Sequence, residues 1–522
     1  MQFTSKTVAL HGVEARPVDV QCQISRGIHS VQIVGLPDKA VRESKERLIA
    51  AFYAHSIALP PMKILFNLSP ADIPKFGNHY DLPMAVALLC NMELLPKEEI
   101  ANYLCMGALA LDGGIESVGG VLASALEAKS ESLGFICPQA NAHEAGLVDD
   151  IDTLYPPTLV SLIKHFKGAP LGAHCVEKNL KLAPKHRNDM SLIKGLELPR
   201  RALEIAAAGR HHLFMVGPPG AGKSLLASTL PSIMPPMTAG EILDTTLVHS
   251  AAGLVKEAGP VLYRPYYDPH HTASAAAIVG GGQGAGPGEI SLAHNGVLFM
   301  DELPEFKRDV LESLRQPLET GEILIARANA HLSYPARFLL VAAANPCNCG
   351  MLFDPRSACN QAPICGQRYM ERLSGPLIDR FSLRISVPAT DAISLRKLEA
   401  GETSAVVLAR TTSAREIQYE RNGTGICNED LNSAVLDAEM TKAGASAQSL
   451  LEKAAMRFGL SPRGYYRMIK TARTIADLAS EDTIQDQHIA ETALYRMMEG
   501  NKINYNPNKL LEDSERYKES AS

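Results

Sequence analysis

The chain has 522 residues, enough for about three domains at roughly 150 residues each, which excludes a single small module. Lys and Arg number 51 against 57 Asp and Glu, a net charge of −6, so bulk charge names no partner and a nucleic-acid surface would have to be local. Hydrophobic residues at 46% and charged residues at 21% exclude a disordered chain. The stretch Met1 to Gly12 lacks the apolar core of a signal peptide, and no later apolar run approaches the ~18 residues of a membrane span. A soluble, cytoplasmic protein without membrane contact is expected.

In chain order, residues 1–167 alternate short β-branched runs (Val18 to Ile24, Ser30 to Val34, Lys63 to Leu68) with amphipathic stretches such as Asp38 to His55, which predicts a mixed α/β domain. Residues 168–190 turn to Gly, Pro, Lys, His and Asn without periodicity and read as a linker. Residues 191–388 place short, wholly apolar runs (Leu213 to Val216, Val297 to Met300, Phe338 to Ala343) between helical segments, the pattern of buried parallel strands. Such sheets bind ligands where their strands end. Residues 389–522 carry helical spacing, as in Tyr465, Ile469, Ala472, Ile475 and Ala476, and predict a helical lid whose charged tail after Pro507 frays.

Directly after the first apolar run stand Gly217, Pro218, Pro219, Gly220, Ala221, Gly222, Lys223 and Ser224, which fit G-x-x-x-x-G-K-[ST] in the strand-to-helix context that motif requires. Its glycines let backbone N–H groups and the following helix N-terminus cradle phosphates. Lys223 would neutralise β/γ oxygens and Ser224 would hold Mg²⁺. The second run ends in Asp301 and Glu302: Asp301 would reach Mg²⁺, and Glu302 would orient the attacking water. ATP and Mg²⁺ are thus the expected cofactors.

With these two motifs, the segments Pro269-His-His-Thr-Ala-Ser274, Gly288 to Phe306, Tyr334-Pro-Ala-Arg-Phe338, Ser374-Gly-Pro-Leu-Ile-Asp-Arg-Phe381 and Leu460-Ser-Pro-Arg463 resemble the AAA+ ATPases. More narrowly, they resemble the magnesium-chelatase-like branch typified by the ComM/YifB family. The resemblance implies a parallel-sheet P-loop core with a helical lid, Asn345 as a sensor that helps place the lytic water, Arg380 as an arginine finger, and Arg463 as a second sensor arginine at a helix start. A finger acting on a neighbouring subunit implies a ring, a homo-hexamer. One departure is Leu196, where the family has Gln beside the adenine.

In the first block, Cys105 to Gly120 with Val121 to Lys129, and Ile73 to Leu88, resemble a Lon-type protease domain. That pattern puts His79 at its serine position and Leu122 at its lysine position, while Ser117 and Lys129 fall off it, so no proteolysis is expected. Cys347, Cys349, Cys359 and Cys365 lie within 19 residues and could supply four thiolates to a structural Zn²⁺, or remain free thiols in a loop. Arg264 to Gly288 resembles the helix-2 insert and Glu322 to Arg337 the presensor-1 hairpin of ring helicases, with Arg264, Arg327, Arg337, Lys307 and Arg308 as the cations available to a substrate.

What the resemblance implies is an ATP-driven DNA motor, a helicase acting on single-stranded or branched DNA. It would drive branch migration as incoming DNA recombines during natural transformation, with recombination proteins as further partners. Two other classes stay open: a magnesium-chelatase-like ATPase for metal insertion, and an ATP-gated scaffold or unfoldase without DNA dependence.

Overall fold

A tight turn at Gly12, whose φ of 70° favours glycine, folds β1 (Gln2–His11) back on β2 (Glu14–Ser25) in antiparallel register from Gln2↔Gln23 to His11↔Glu14. The computed structural model describes residues 2–171, 188–255, 259–281, 286–327, 330–350, 352, 361, 364–389 and 398–496. The predicted tail after Pro507 and most of the predicted linker lie outside these residues.

With β3 (Ser30–Val34), β4 (Lys63–Ser69), β5 (Tyr103–Cys105), β6 (Gly134–Ile136) and β7 (Thr153–Leu154), the hairpin forms a seven-stranded mixed sheet in the order β3-β4-β2-β1-β5-β6-β7. Helix α1 (Lys39–Ala54) starts where Asp38 accepts the Val41 N–H at 2.8 Å, and it buries Val41, Leu48, Ala51 and Phe52, one face at helical spacing. Helix α2 (Asp81–Asn91) is buried all round, and its Asp81 carboxylate is held by Arg47 at 2.6 and 2.9 Å and by the Leu109 N–H at 3.1 Å. A buried charge requires such partners.

The second body starts with α4 (Glu197–Gly209), after α3 (Val121–Ser130) of the first. Its five parallel strands are β8 (Leu213–Val216), β9 (Tyr266–Tyr267), β10 (Val297–Met300), β11 (Leu339–Ala344) and β12 (Leu383–Ser386), in the order β9-β10-β11-β8-β12. Alternation explains why whole runs are apolar. Leu213, Met215, Val297, Phe299, Leu339, Val341 and Ala343 enter one core, and Phe214, Val216, Leu298, Met300, Leu340, Ala342 and Ala344 the other, so the sheet is covered on both faces. An antiparallel hairpin, Glu322–Arg327 against Ala330–Pro335, stands outside this sheet.

The lid comprises α5 (Ser404–Asn422), α6 (Ser433–Lys442), α7 (Ala445–Phe458), α8 (Pro462–Leu478) and α9 (Asp486–Leu494). Ser461 caps α8 by accepting the Gly464 N–H at 3.1 Å, with Pro462 at the first helical position. Arg415 of α5 donates to the Ala208 and Ala207 carbonyls at 2.9 Å each, tying the lid to the end of α4.

The first body rests on the second at two points. Gly12 lies so close to the hairpin that a Cβ there would come 2.3 Å from the Ser333 carbonyl oxygen. Near the start of α3, the buried Glu144 carboxylate accepts the Leu122 N–H at 2.9 Å and the Ser250 hydroxyl, while the Gly120 N–H donates to the Ser250 carbonyl at 3.0 Å. Leu122, which the Lon-type resemblance aligns with a lysine, is buried beside this contact. His79, which the same resemblance aligns with a serine, is also buried, with Nε2 3.0 Å from the Val8 carbonyl and its pKa lowered by burial.

Candidate active site

Strand β8 delivers the loop Gly217–Ser224 to the C-terminal edge of the sheet, where the helix Lys223–Thr229 begins. The loop tolerates little else: a Cβ on Gly217 would come 2.3 Å from the Val387 carbonyl oxygen, and Gly220 and Gly222 have φ of 78° and 86°. Space around Gly220 and Gly222 is open, with no atom within 4 Å of where a Cβ would stand, so their backbone can approach a ligand closely.

Lys223 is buried, and its ammonium donates to the Gly217 carbonyl at 2.7 Å, the Pro218 carbonyl at 3.0 Å and the Asn345 side-chain oxygen at 3.2 Å. Burial lowers its pKa, and the Asp301 and Glu302 carboxylates oppose that shift. Ser224 Oγ donates to Asp301 Oδ2 at 2.8 Å, so two hard oxygen ligands face each other beside the ammonium, a donor set suited to Mg²⁺. Asp301 also accepts the Glu302 N–H at 2.9 Å, and Glu302 sits in left-handed backbone at φ 52°. The sequence-predicted residues are thereby brought together as two bonded pairs, Lys223 with Asn345 and Ser224 with Asp301, with Glu302 next to Asp301.

The two arginines are brought together elsewhere. Arg380 precedes β12, which pairs in parallel with β8 from Leu213↔Leu383, so it stands at the N-terminal end of strands whose other end carries the phosphate loop. Three strand steps of about 3.3 Å put those ends roughly 10 Å apart before the turns are added. Arg380 is buried, pairs with Glu319 and donates to the Pro376 carbonyl at 2.6 Å. Arg463, mostly exposed at the start of α8, reaches the same Glu319 oxygen at 3.5 Å. Arg467, one turn on, donates to the Arg380 carbonyl, and Lys470 donates to the Glu429 carbonyl at 2.5 Å.

Glu319 and Arg467 were not among the residues singled out in the sequence, and His271 was read there as part of the helix-2 insert. The i, i+4, i+7 spacing of Arg463, Arg467 and Lys470 was the available signal for a basic stripe on α8. His271 Nδ1 lies 3.4 Å from Glu302 Oε2 and its ring packs against His270 at 4.3 Å, so it belongs to the carboxylate rather than to a substrate loop. Arg264 is likewise corrected: it is buried, bonded to the Pro235 and Asn295 carbonyls at 2.8 Å each and to Glu241 at 3.0 Å, and serves structure rather than substrate. The Arg327 side chain lies outside the described residues, although its backbone closes the hairpin's first strand.

Cys347 and Cys349 bring their sulfurs to 3.1 Å, and the following Gly350 packs on Pro219 of the phosphate loop, where a Cβ would come 2.6 Å from Cγ. Cys365 is in the helix Ile364–Met370, and Cys359 lies outside the described residues. Among the described residues no three His, Cys, Asp or Glu side chains converge to hold a metal, and none of their helices is long and apolar enough to cross a membrane.

Three family models match the chain: magnesium chelatase, subunit ChlI, over residues 189–395; subunit ChlI of Mg-chelatase over 20–141; and magnesium chelatase, subunit ChlI C-terminal, over 401–496. Competence protein ComM of Haemophilus influenzae is 42% identical over 492 residues, 93% of this chain and 96% of its own. The uncharacterized protein YifB of Escherichia coli is 39% identical over 499 residues, 94% and 96% of the two chains. The magnesium-chelatase 38 kDa subunit of Rhodobacter capsulatus is 24% identical over 332 residues, 58% of this chain and 85% of its own. With its parallel-sheet core, phosphate loop and helical C-terminal region, the chain belongs to the ComM/YifB family of magnesium-chelatase-like AAA+ ATPases, which implies the use of nucleotide and Mg²⁺.

Proposed function

We propose that this protein is a ring-forming, ATP-driven DNA motor, a homo-hexamer that promotes branch migration when incoming DNA recombines in natural transformation. The observation that carries the ring is the separation just described: the phosphate cluster and Arg380 occupy opposite ends of the same strands, so one chain's arginine serves another chain's nucleotide. Likeness to a protein named for competence over nearly the whole chain supports a competence-associated role, and DNA is the substrate we assign to that role.

In this reading the loop Gly217–Gly222 and Lys223 bind the phosphates, with the ammonium exchanging its three carbonyl-type acceptors for phosphate oxygens. Ser224 and Asp301 hold Mg²⁺, which neutralises phosphate charge when bound. Glu302 orients the attacking water with Asn345 beside it, and Arg380 and Arg463 from the next subunit stabilise the transition-state charge. The first body, with His79 and Leu122 at the former dyad positions, acts as a collar on the ring and not as a protease.

The test is the ATPase rate of the full chain with and without single-stranded and branched DNA at low salt. Stimulation is expected. Binding should weaken steeply with salt and depend little on sequence, because phosphate contacts position a strand without reading it. Neither binding nor stimulation in assembled rings would leave an ATP-gated scaffold in its place.

A further inference from the structure

We propose that Glu319 is the internal counter-ion of the two arginines, occupying in the resting chain the place that a neighbour's phosphate takes during hydrolysis, and that it passes their position on to the hairpin. This rests on the reading of Arg380 and Arg463 as arms reaching the next subunit's nucleotide.

One oxygen of Glu319, Oε1, receives both arginines. The Arg380 side chain is only 4% exposed, whereas Glu319 and Arg463 are 51% and 65% exposed, so the group opens outward, toward where a second copy of the chain would come. Arg380 is also incompletely satisfied. Its Nη1 and Nη2 have partners, but its buried Nε has none. A carboxylate oxygen shared between two guanidinium groups leaves donors over; a phosphoryl group, with three acceptor oxygens, can serve more of them.

Glu319 belongs to the short helix Pro317–Thr320, and the hairpin starts at Glu322. Between them Gly321, at φ 73°, accepts the Ala336 N–H at 2.7 Å and presses on Arg337, where a Cβ would come 2.9 Å from Cγ. Two residues with no slack thus join the counter-ion to both strands of the hairpin. Arg467 of α8 donates to the Arg380 carbonyl, so the same event reaches the lid. When the arginines leave Glu319 for phosphate, the hairpin base loses both of its cationic anchors.

The experiment measures ATPase activity of the full chain against protein concentration, with and without single-stranded DNA, for wild type, E319Q, E319D and R380A. E319Q removes the competing charge and should lower the protein concentration at half-maximal rate about fivefold, while the DNA stimulation shrinks. E319D keeps the charge but withdraws it by one methylene and should shift the half-maximal concentration the same way by about twofold; it carries the test if E319Q does not fold. Wild-type behaviour of the Glu319 variants, or a shift to higher protein concentration, overturns the proposal. If R380A hydrolyses ATP like wild type, the trans-arginine reading falls instead, and the two failures are thereby told apart.

Discussion

At the C-terminal end of the parallel sheet, Lys223 bonds Asn345 and the adjacent Ser224 bonds Asp301, held by strand ends and backbone carbonyls. At the other end Arg380 and Arg463, from the core and the lid, meet only through a carboxylate that is half exposed. The first arrangement is rigid because its positions are set by strand register and by glycines fixed by close packing at Gly217 and by positive φ at Gly220 and Gly222. The second is held by charge, which can be exchanged for another charge. The proposed motor would use both kinds of construction: a preorganised pocket for the chemistry, and an arm whose partner changes during the cycle.

The comparison is broken most severely at the arm. Arg380→Ala should lower kcat about 10³-fold, the lower end of what an arginine finger contributes. Mixing it with Lys223→Ala subunits should restore part of the rate, because some interfaces then pair an intact arm with an intact pocket. Absence of rescue in rings shown to be mixed would put the arm in the same chain. In the pocket, Glu302→Gln should lower kcat about 10²-fold with ATP binding retained, while Lys223→Ala should lose binding itself. Nucleotide titration and single-turnover rates separate these outcomes.

Much of the pocket could be read from sequence because its parts are local. The phosphate loop immediately follows an apolar strand, the carboxylates end another, and Asn345 directly follows a third, so each was visible as a run and its terminus. The two-sided burial of the strands was legible too, since unbroken apolar runs such as Phe338 to Ala343 admit few other arrangements. The arm was legible only as separate arginines. Which carboxylate joins them depends on how the lid packs on the core, and nothing in the local pattern of Glu319 marks it. His271 was placed with the insert by chain position, whereas strand pairing of Tyr266 and Tyr267 with Val297 and Leu298 carries it to Glu302. Arg264 was read as a free cation because charge in a loop suggests exposure, yet its guanidinium satisfies carbonyls left over by the surrounding turns.

Acid should separate the two regions. The N-terminal ends of the parallel strands, on the arm's side of the sheet, rely on two buried neutral histidines: His212 Nδ1 accepts the Leu340 N–H at 3.1 Å, and His294 Nδ1 accepts the Arg337 N–H at 3.0 Å. Burial pushes both down to about 3 from the ordinary 6.5. A depressed histidine stays neutral in the fold while the unfolded chain takes up its proton. Its contribution is therefore complete above about pH 6.5 and is lost as pH falls from there toward 3. At roughly 1.4 kcal/mol per pH unit, each histidine should cost on the order of 2 kcal/mol at pH 5. Urea midpoints at pH 7.5 and 5.0 check this, and His294→Asn, which keeps a neutral acceptor, should reduce the dependence by about half.

The smallest expected effect lies where the pocket touches a partly exposed partner of its own. His271 Nδ1 stands 3.4 Å from Glu302 Oε2, with the two side chains 31% and 45% exposed, so solvent screens the contact and it is worth about 0.5 kcal/mol. If Glu302 orients the attacking water as proposed, the His271 contact competes for its carboxylate, and removing the contact should free it. His271→Ala is accordingly expected to raise the DNA-independent ATPase rate about twofold, the factor that 0.5 kcal/mol supplies to a barrier. DNA-stimulated turnover should change less if, as proposed, stimulation itself frees the carboxylate. A tenfold fall in both rates would instead mean that His271 positions Glu302 for catalysis, and the pocket would then extend by one residue into the segment that leads to the insert.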